Sequence, residues 1–583
     1  MRMPQTAAGR AAAGRAASGS APSDASAAAT AAGGAVAGGA VAGGAVAGGA
    51  VAGGAVAGGA VAGERTPAAA APEDDAPGNR QAGAGRRATR LAVALRGHWL
   101  AVALLTAGLV LRLLAQVAYR PALLYIDTPK YLGNAWPGAD PVGYKAPLRA
   151  ILLVGNLNAV TAVQHLLGLA MAAALYLLLQ RRGVPRALAA LAIAPVLLDA
   201  YQLQMEQTVM PDAWFEALIV TGLAVLLWKP ATTLPAVITA GLTLGSSATV
   251  RQVGETLILP ALAYLLAATT STPGTTWRHA TIKAAALCAA FALPILAYCT
   301  GSYALTGQFS LSNSGSTLAY ARMAAVADCA TLRLPAAERP LCPTTAQQAL
   351  GPDWLDHDAD SPLKQYVTPP GLHRNKLITD FGHRVLAQQP LRVLTGIASD
   401  AAKLFAVTRA TSPGDTPISR WQFQTSYPTY PPAVGETSSD VIILGLRQSF
   451  SGPGVSRPLA PSVGGHAQVL RPVAAFLRSY QLDGGYTPGP LLAIAALAGL
   501  AGSLVLLRRR ASTAHRQLAL ACLLFFSTAA TILLASDIFE FTWRYQLPAI
   551  LTLPPAGALG ITAIARTTVR GITGHRLSWP HRA

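Results

Sequence analysis

Ten apolar runs recur along the chain, near residues 98–118, 158–180, 184–204, 213–229, 233–250, 255–270, 283–300, 489–507, 516–535 and 546–565. Stretches such as Val160 to Leu179 and Leu518 to Ala535 are too long and too continuous for strands, and they approach the ~20 residues that cross a hydrocarbon layer. The pattern predicts a mainly α, polytopic membrane protein with about ten transmembrane helices. A more polar region from about Gly301 to Pro488 separates the seventh run from the eighth. Inside it, Leu377, Phe381, Val385 and Leu386, then Leu391, Leu394, Ile397, Ala401 and Leu404, repeat at helical spacing. They predict two helices broken near Pro390, where a ring replaces a backbone donor.

The first 90 residues read differently. From Gly33 the pentapeptide Gly-Gly-Ala-Val-Ala repeats six times, ending at Ala62. So much glycine offers neither helix propensity nor a face to bury, so residues 1–90 are expected to form a disordered tail. No charged and apolar signal region lies near Met1, so the first span is expected to stay as an anchor. The resulting division is 1–90 tail, 91–300 membrane module with spans one to seven, 301–488 extracytoplasmic domain, 489–566 spans eight to ten, and 567–583 basic tail.

Composition sharpens this picture. Only 12% of the 583 residues are charged, mean hydropathy is +0.39 and formal charge is +19. That surplus could suggest nucleic acid, but the cations flank apolar runs. Arg181-Arg182, Lys229, Arg278, Arg508 to Arg510, and Arg566, Arg570 and Arg576 all fall on one side if the tail is cytoplasmic. This is the positive-inside pattern, and no nucleic-acid partner is expected. The opposite face then carries a loop from about Tyr119 to Leu157 and the long region after Gly301, which places the chemistry outside the cell membrane. Cys329 and Cys342 lie there thirteen positions apart. They are expected to form a disulfide in an oxidising compartment, with two free thiols as the alternative.

On the same face, Asp127 follows the first span, with Tyr131, Tyr144 and Lys145 close behind. Glu206 and Asp212 follow the third span. Arg251 ends the fifth, and Arg544-Tyr545 opens the tenth. Carboxylates and cations gathered at one membrane surface could hold an anionic group, although a charge at a span end can simply snorkel. Arg112 inside the first span is expected to pair within the bundle, and His165 on an apolar face to be a packing histidine.

The order and sidedness of these elements resemble a known group. Asp127 followed by Tyr131, the Tyr144-Lys145-Ala146-Pro147-Leu148 element, Asp212 after the third span and the late Arg544-Tyr545 are similar to the GT-C fold glycosyltransferases. These use lipid-phosphate sugars. The kin are bacterial phospholipid-carrier-dependent enzymes related to protein O-mannosyltransferases and to the aminoarabinose transferase of lipid A. The likeness runs from about Ala92 to Arg566. It implies a polyprenyl-phosphate-linked sugar donor, a glycan, lipid or protein acceptor, and inversion at the anomeric centre. By the same resemblance Asp127 is the general base, and Lys145, Arg251, Arg544 and Tyr545 bind the donor phosphate. Tyr131 and Tyr144 contact donor or acceptor. Glu206 and Asp212 orient the base, bind the acceptor or hold a divalent cation, the one cofactor the pattern leaves open. The competing readings are a transporter or lipid flippase, a lipid-linked glycan polymerase or ligase, and a non-enzymatic assembly protein.

Overall fold

The computed structural model describes residues 96–125, 127–132, 140–270, 277–312, 314–427, 439–443, 446–450, 467–507 and 512–575. The repeat tail, the Arg508 to Arg510 cluster and the last eight residues lie outside them. The membrane helices run α1 (Trp99–Ala118), α4 (Leu157–Arg181), α5 (Arg186–Leu198), α6 (Ala200–Gln207), α7 (Asp212–Leu227), α8 (Leu234–Val250), α9 (Ile258–Thr270) and α10 (Trp277–Thr306). Between the first two lie α2 (Thr128–Leu132) and α3 (Lys145–Val154). The long polar region holds α11 (Gly315–Val326), α12 (Gly351–His357), α13 (Arg374–Gln388), α14 (Pro390–Lys403) and α15 (Arg471–Leu482). The bundle closes with α16 (Gly489–Leu504), α17 (Thr513–Asp537) and α18 (Leu547–His575). The last helix continues into the segment expected to be tail.

A helix stands at each of the ten apolar runs, but the count of ten spans is not met. Among the described residues six helices are long and apolar enough to cross a membrane, and the α5–α6 pair, bent by 48°, makes a seventh if taken as one span. The others are short. α7 has 16 residues, which is only about 24 Å of helix against the roughly 30 Å of a hydrocarbon core. Its N-terminal part carries two carboxyl groups, Asp212 in the first turn and Glu216 one turn on, both buried. Those two carboxyl groups pack inside the bundle instead of extending an apolar stretch.

The break near Pro390 is present, with α13 ending at Gln388 and α14 starting at Pro390. Their buried faces, Leu377, Ile378, Phe381, Val385, Val393 and Ile397, join Tyr320, Leu341 and Leu355 in a core separate from the main one in the bundle. Cys329 and Cys342 are bonded to each other at the edge of this second core, with Cα atoms 6.0 Å apart. Peptide mapping without reductant is expected to recover them as one linked pair; two alkylatable thiols would contradict the bond. The polar region is nonetheless tied to the bundle, since Pro77–Ala583 forms one compact unit. Strand β1 (Tyr119–Arg120), directly after α1, pairs antiparallel with β4 (Gln468–Val469) before α15. A hairpin of β2 (Ser439–Ile443) and β3 (Leu446–Phe450) lies between them in sequence.

Candidate active site

Helices α7 and α8 are joined by only six residues and return past each other, so the start of one lies beside the end of the other. Asp212 occupies the first turn of α7 and Arg251 caps the C-terminus of α8. An anion at a helix N-terminus and a cation at a C-terminus each complement the backbone dipole. The antiparallel pairing therefore brings opposite charges together, and Arg251 Nη1 donates to Asp212 Oδ1 at 2.5 Å.

A second arginine completes the arrangement. The 3₁₀ turn Trp543–Gln546 delivers Arg544 from the far end of the sequence. Its Nε donates to both oxygens of Asp212 at 3.1 Å, its Nη2 lies 3.0 Å from Oδ2, and its Nη1 donates to Asp127 Oδ2 at 3.2 Å. Tyr125, Trp421 and Tyr545 place their rings within 6 Å of this guanidinium, at 5.9, 5.6 and 5.7 Å. Arg251 lies over the other side of the Tyr545 region, 4.6 Å from its ring centre. Lys130, one turn after Asp127, reaches Asp127 at 3.1 Å and forms an ion pair with Asp140.

A cleft opens beside these groups. Asp127, Tyr131, Asp140, Arg251, Glu540, Arg544 and Tyr545 all face it, and its volume is about 90 Å³. That is room for a few waters at ~30 Å³ each. The two aspartates differ in access. The Asp212 side chain is 7% exposed and saturated by arginine, whereas that of Asp127 is 29% exposed. Burial pushes the Asp127 carboxyl up, but Lys130 and Arg544 outweigh it and hold it well below the usual carboxylate range. Arg251 gives Asp212 one N–H, and among the described residues its other donors have no hydrogen-bond partner.

Several expected site residues lie elsewhere. Glu206 is fully buried and does not line the cleft. It is held by Arg112 at 2.8 Å, by His165 Nδ1 at 3.0 Å and by Gln202 at 3.2 Å, so the acceptor-orienting or metal-holding role expected for it is replaced by a role inside the bundle. Arg112 and His165 do pair and pack there as their settings suggested. Lys145 begins α3, is 4% exposed and is absent from the cleft wall. Burial, with Arg149 adding to it, pulls its ammonium down to about 8. Tyr144 is buried behind Tyr131, ring centres 5.4 Å apart, and its hydroxyl donates to Gln164 Oε1 at 2.7 Å. A divalent cation does not fit: among the described residues no group of three His, Cys, Asp or Glu side chains could hold one, and guanidinium donors occupy the carboxylates of Asp127 and Asp212.

Two further residues were not singled out from the sequence, Lys130 as the partner of Asp127 and Glu540 on the cleft wall. Lys130 is three positions after Asp127, a spacing that pairs charges on a helix. Glu540 stands four residues before Arg544 in the same short connection, so its charge in that connection was the available signal. Burial, reinforced by the Asp353 carboxylate on α12, pushes the Glu540 carboxyl up to about 8, with Asp356 adding to this and His357 and Tyr545 opposing it. The sign of the consequence is fixed. Between the ordinary value of 4.5 and about 8 the unfolded chain has released this proton while the folded chain still holds it, so stability falls as pH rises through that window. Glu540→Gln has no such proton, and its melting temperature relative to the parent is expected to climb from pH 5 to pH 9. A difference that stays flat with pH would contradict this.

The site therefore defines a membrane protein with a charged cleft where the bundle meets its polar region. No protein-family model matches the chain, and no curated protein matches it. Two solved structures are similar. One is the archaeal oligosaccharyltransferase AglB from Archaeoglobus fulgidus, in complex with an inhibitory peptide and a dolichol-phosphate, at 12% identity and a TM-score of 0.37. The match covers 84% of this chain and 53% of that one, so the chain spans about half the length of AglB. The other is ArnT from Cupriavidus metallidurans bound to undecaprenyl phosphate, at 12% identity and a TM-score of 0.29, covering 81% of this chain and 79% of that one. Likenesses this loose carry no argument about the site.

Proposed function

We propose that the protein is an integral membrane glycosyltransferase that moves a sugar from a polyprenyl-phosphate donor to an extracytoplasmic acceptor, with Asp127 as general base. The observation that carries this reading is one cleft in which the solvent-accessible Asp127 carboxylate, bound by Arg544, stands beside Arg251, with both arginines held by the buried Asp212. A lipid-linked donor needs no nucleotide sugar on the far side of the membrane. When its glycosidic bond breaks, the phosphate leaves with added negative charge, which fixed cations stabilise in a desolvated site. Arg251, with donors to spare, is the first contact for that phosphate.

Asp127 gains basicity in the same event. In the structure Arg544 and Lys130 neutralise it, which makes it a weak base. A phosphate that draws Arg544 toward itself removes part of that neutralisation and raises the carboxylate's proton affinity just when an acceptor hydroxyl must lose its proton. The space in the cleft is too small for a sugar, so donor entry requires the exposed Lys130–Asp140 ion pair to part. Asp212 keeps both arginines aligned, and Tyr131 forms the wall the sugar meets.

The test is incubation of the purified protein with a panel of polyprenyl-phosphate pentoses and hexoses, following release of polyprenyl phosphate. A parallel assay in vesicles of known sidedness adds donor and acceptor to one face at a time. Release with one or a few donors, dependent on acceptor at the cleft face, supports the reading. Movement of an intact lipid-linked sugar across the bilayer with no bond cleavage would replace it with the flippase reading.

A further inference from the structure

The ends of α7 and α8 that lie away from the cleft frame a second feature. Asp212 at the start of α7 holds the two arginines of the polar site, and Trp228 follows the end of the same helix, about 24 Å away along the helix axis. There, α4, α7 and the start of α8 leave a groove of about 480 Å³. Small residues create it: Ala170 and Ala174 on α4 face Ala217 and Ala224 on α7, four and seven positions apart, so each helix offers one shallow stripe to its neighbour.

The mouth of this groove is basic. Lys229 lines it and is exposed. Arg181 lies 4.2 Å from the ring centre of Trp228, another lining residue. Arg182 Nη2 donates to the Lys229 carbonyl at 3.1 Å, and Lys283 Nζ donates to the carbonyl of Thr232 at 2.8 Å. Among the described residues none of these four cations forms an ion pair with a carboxylate, and the connections 182–185 and 228–233 contain no Asp or Glu. An apolar trough of about 480 Å³, ending in cations that have no carboxylate partner among the described residues, is complementary to one kind of membrane molecule.

We propose that this groove binds an anionic phospholipid, with an acyl chain along the alanine-lined trough and the headgroup phosphate among Lys229, Arg181 and Lys283. The assignment does not rest on the transferase reading, because it uses no residue of the cleft. Basic pockets between helices at a membrane surface attract acidic headgroups, and each cation near such a surface contributes about 1 kcal/mol, roughly a fivefold change in affinity.

Native mass spectrometry of the full-length protein, released from detergent in the presence of phosphatidylglycerol or phosphatidylcholine with identical acyl chains, tests this. Phosphatidylglycerol is expected to be retained in preference, and Lys229→Gln to weaken it about fivefold while leaving phosphatidylcholine unchanged. Ala174→Phe fills the trough and is expected to abolish the preference with every cation still present. Because Lys229 is exposed, its variant reports even if the phenylalanine variant fails to fold. Equal retention of the two lipids, or a preference undiminished by Lys229→Gln, overturns the proposal. Stoichiometric displacement of phosphatidylglycerol by undecaprenyl phosphate also overturns it, since the groove would then belong to the carrier lipid.

Discussion

Asp127→Asn is expected to lower turnover by about 10²- to 10⁴-fold, the usual contribution of a positioned general base, while donor binding survives. The substitution keeps the shape of the side chain and removes its ability to accept the acceptor's proton. It also removes one negative charge from the neighbourhood of Arg544 and Lys130. Those cations then meet the donor phosphate with less competition, so the donor is expected to bind at least as tightly as to the parent. The combination separates this role from a structural one, because a residue needed only for folding would lower the amount of functional protein and leave turnover per folded molecule intact. The measurement is single-turnover release of polyprenyl phosphate alongside donor binding at equilibrium. Near-normal transfer by the variant would move the base to another carboxyl group on the cleft wall, Asp140 or Glu540. Glu206 is not among the alternatives, because it is enclosed by Arg112 and His165.

How Asp127 and Glu206 came to differ shows what the sequence could carry. Both follow a span on the same side, and chain order alone treats them alike. Hydropathy located the helices because burial in lipid acts on runs of residues, and it located the interruption at Pro390 because a ring acts locally. The site depends on longer contacts. Asp127 meets Arg544 across 417 positions, and the packing of the bundle decides that meeting. Asp212 and Arg251 were more accessible to reasoning, since charges at helix ends on one face are drawn to each other, although their direct contact needed the short return between α7 and α8. Lys145 sat beside a tyrosine in a promising motif, yet α3 turns it away from the cleft wall. The count of ten spans is not met where apolar helices are short, as in α7 with its buried Asp212 and Glu216.

Glu206 could have been placed by charge accounting. A guanidinium in the middle of an apolar span has to be neutralised inside the bundle, and Arg112 is 2% exposed. Its partner had to be an anion from a neighbouring helix that is itself enclosed. The kink between α5 and α6 supplies both halves of the answer: it turns Glu206 inward, and it strands the last carbonyls of α5. Arg112 Nη1 donates to the Leu197 carbonyl at 3.0 Å and Nη2 to that of Val196 at 2.9 Å, besides the 2.8 Å contact with Glu206. One side chain thus caps a helix end that has no following turn to do so.

Arg112→Ala is therefore expected to destabilise the protein by about 3–5 kcal/mol, the cost of leaving one member of a buried ion pair without the other. Two carbonyls lose their donor at the same time, while Glu206 keeps only His165 and Gln202 as side-chain partners. Removing both charges should hurt less than removing one. In Arg112→Met with Glu206→Gln the buried anion is gone, the methionine refills most of the space, and the glutamine can still meet His165 and Gln202. The double variant is expected to recover a large part of the stability lost in either Arg112→Met or Glu206→Gln alone. Unfolding in mixed detergent micelles, monitored by circular dichroism for the parent, both single variants and the double, gives the interaction energy directly. A coupling near zero would mean that Arg112 acts through the α5 carbonyls alone and that the Glu206 contact contributes nothing. A strongly favourable coupling ties the kink, the cap and the ion pair into one unit on which the Asp212 end of the bundle is built.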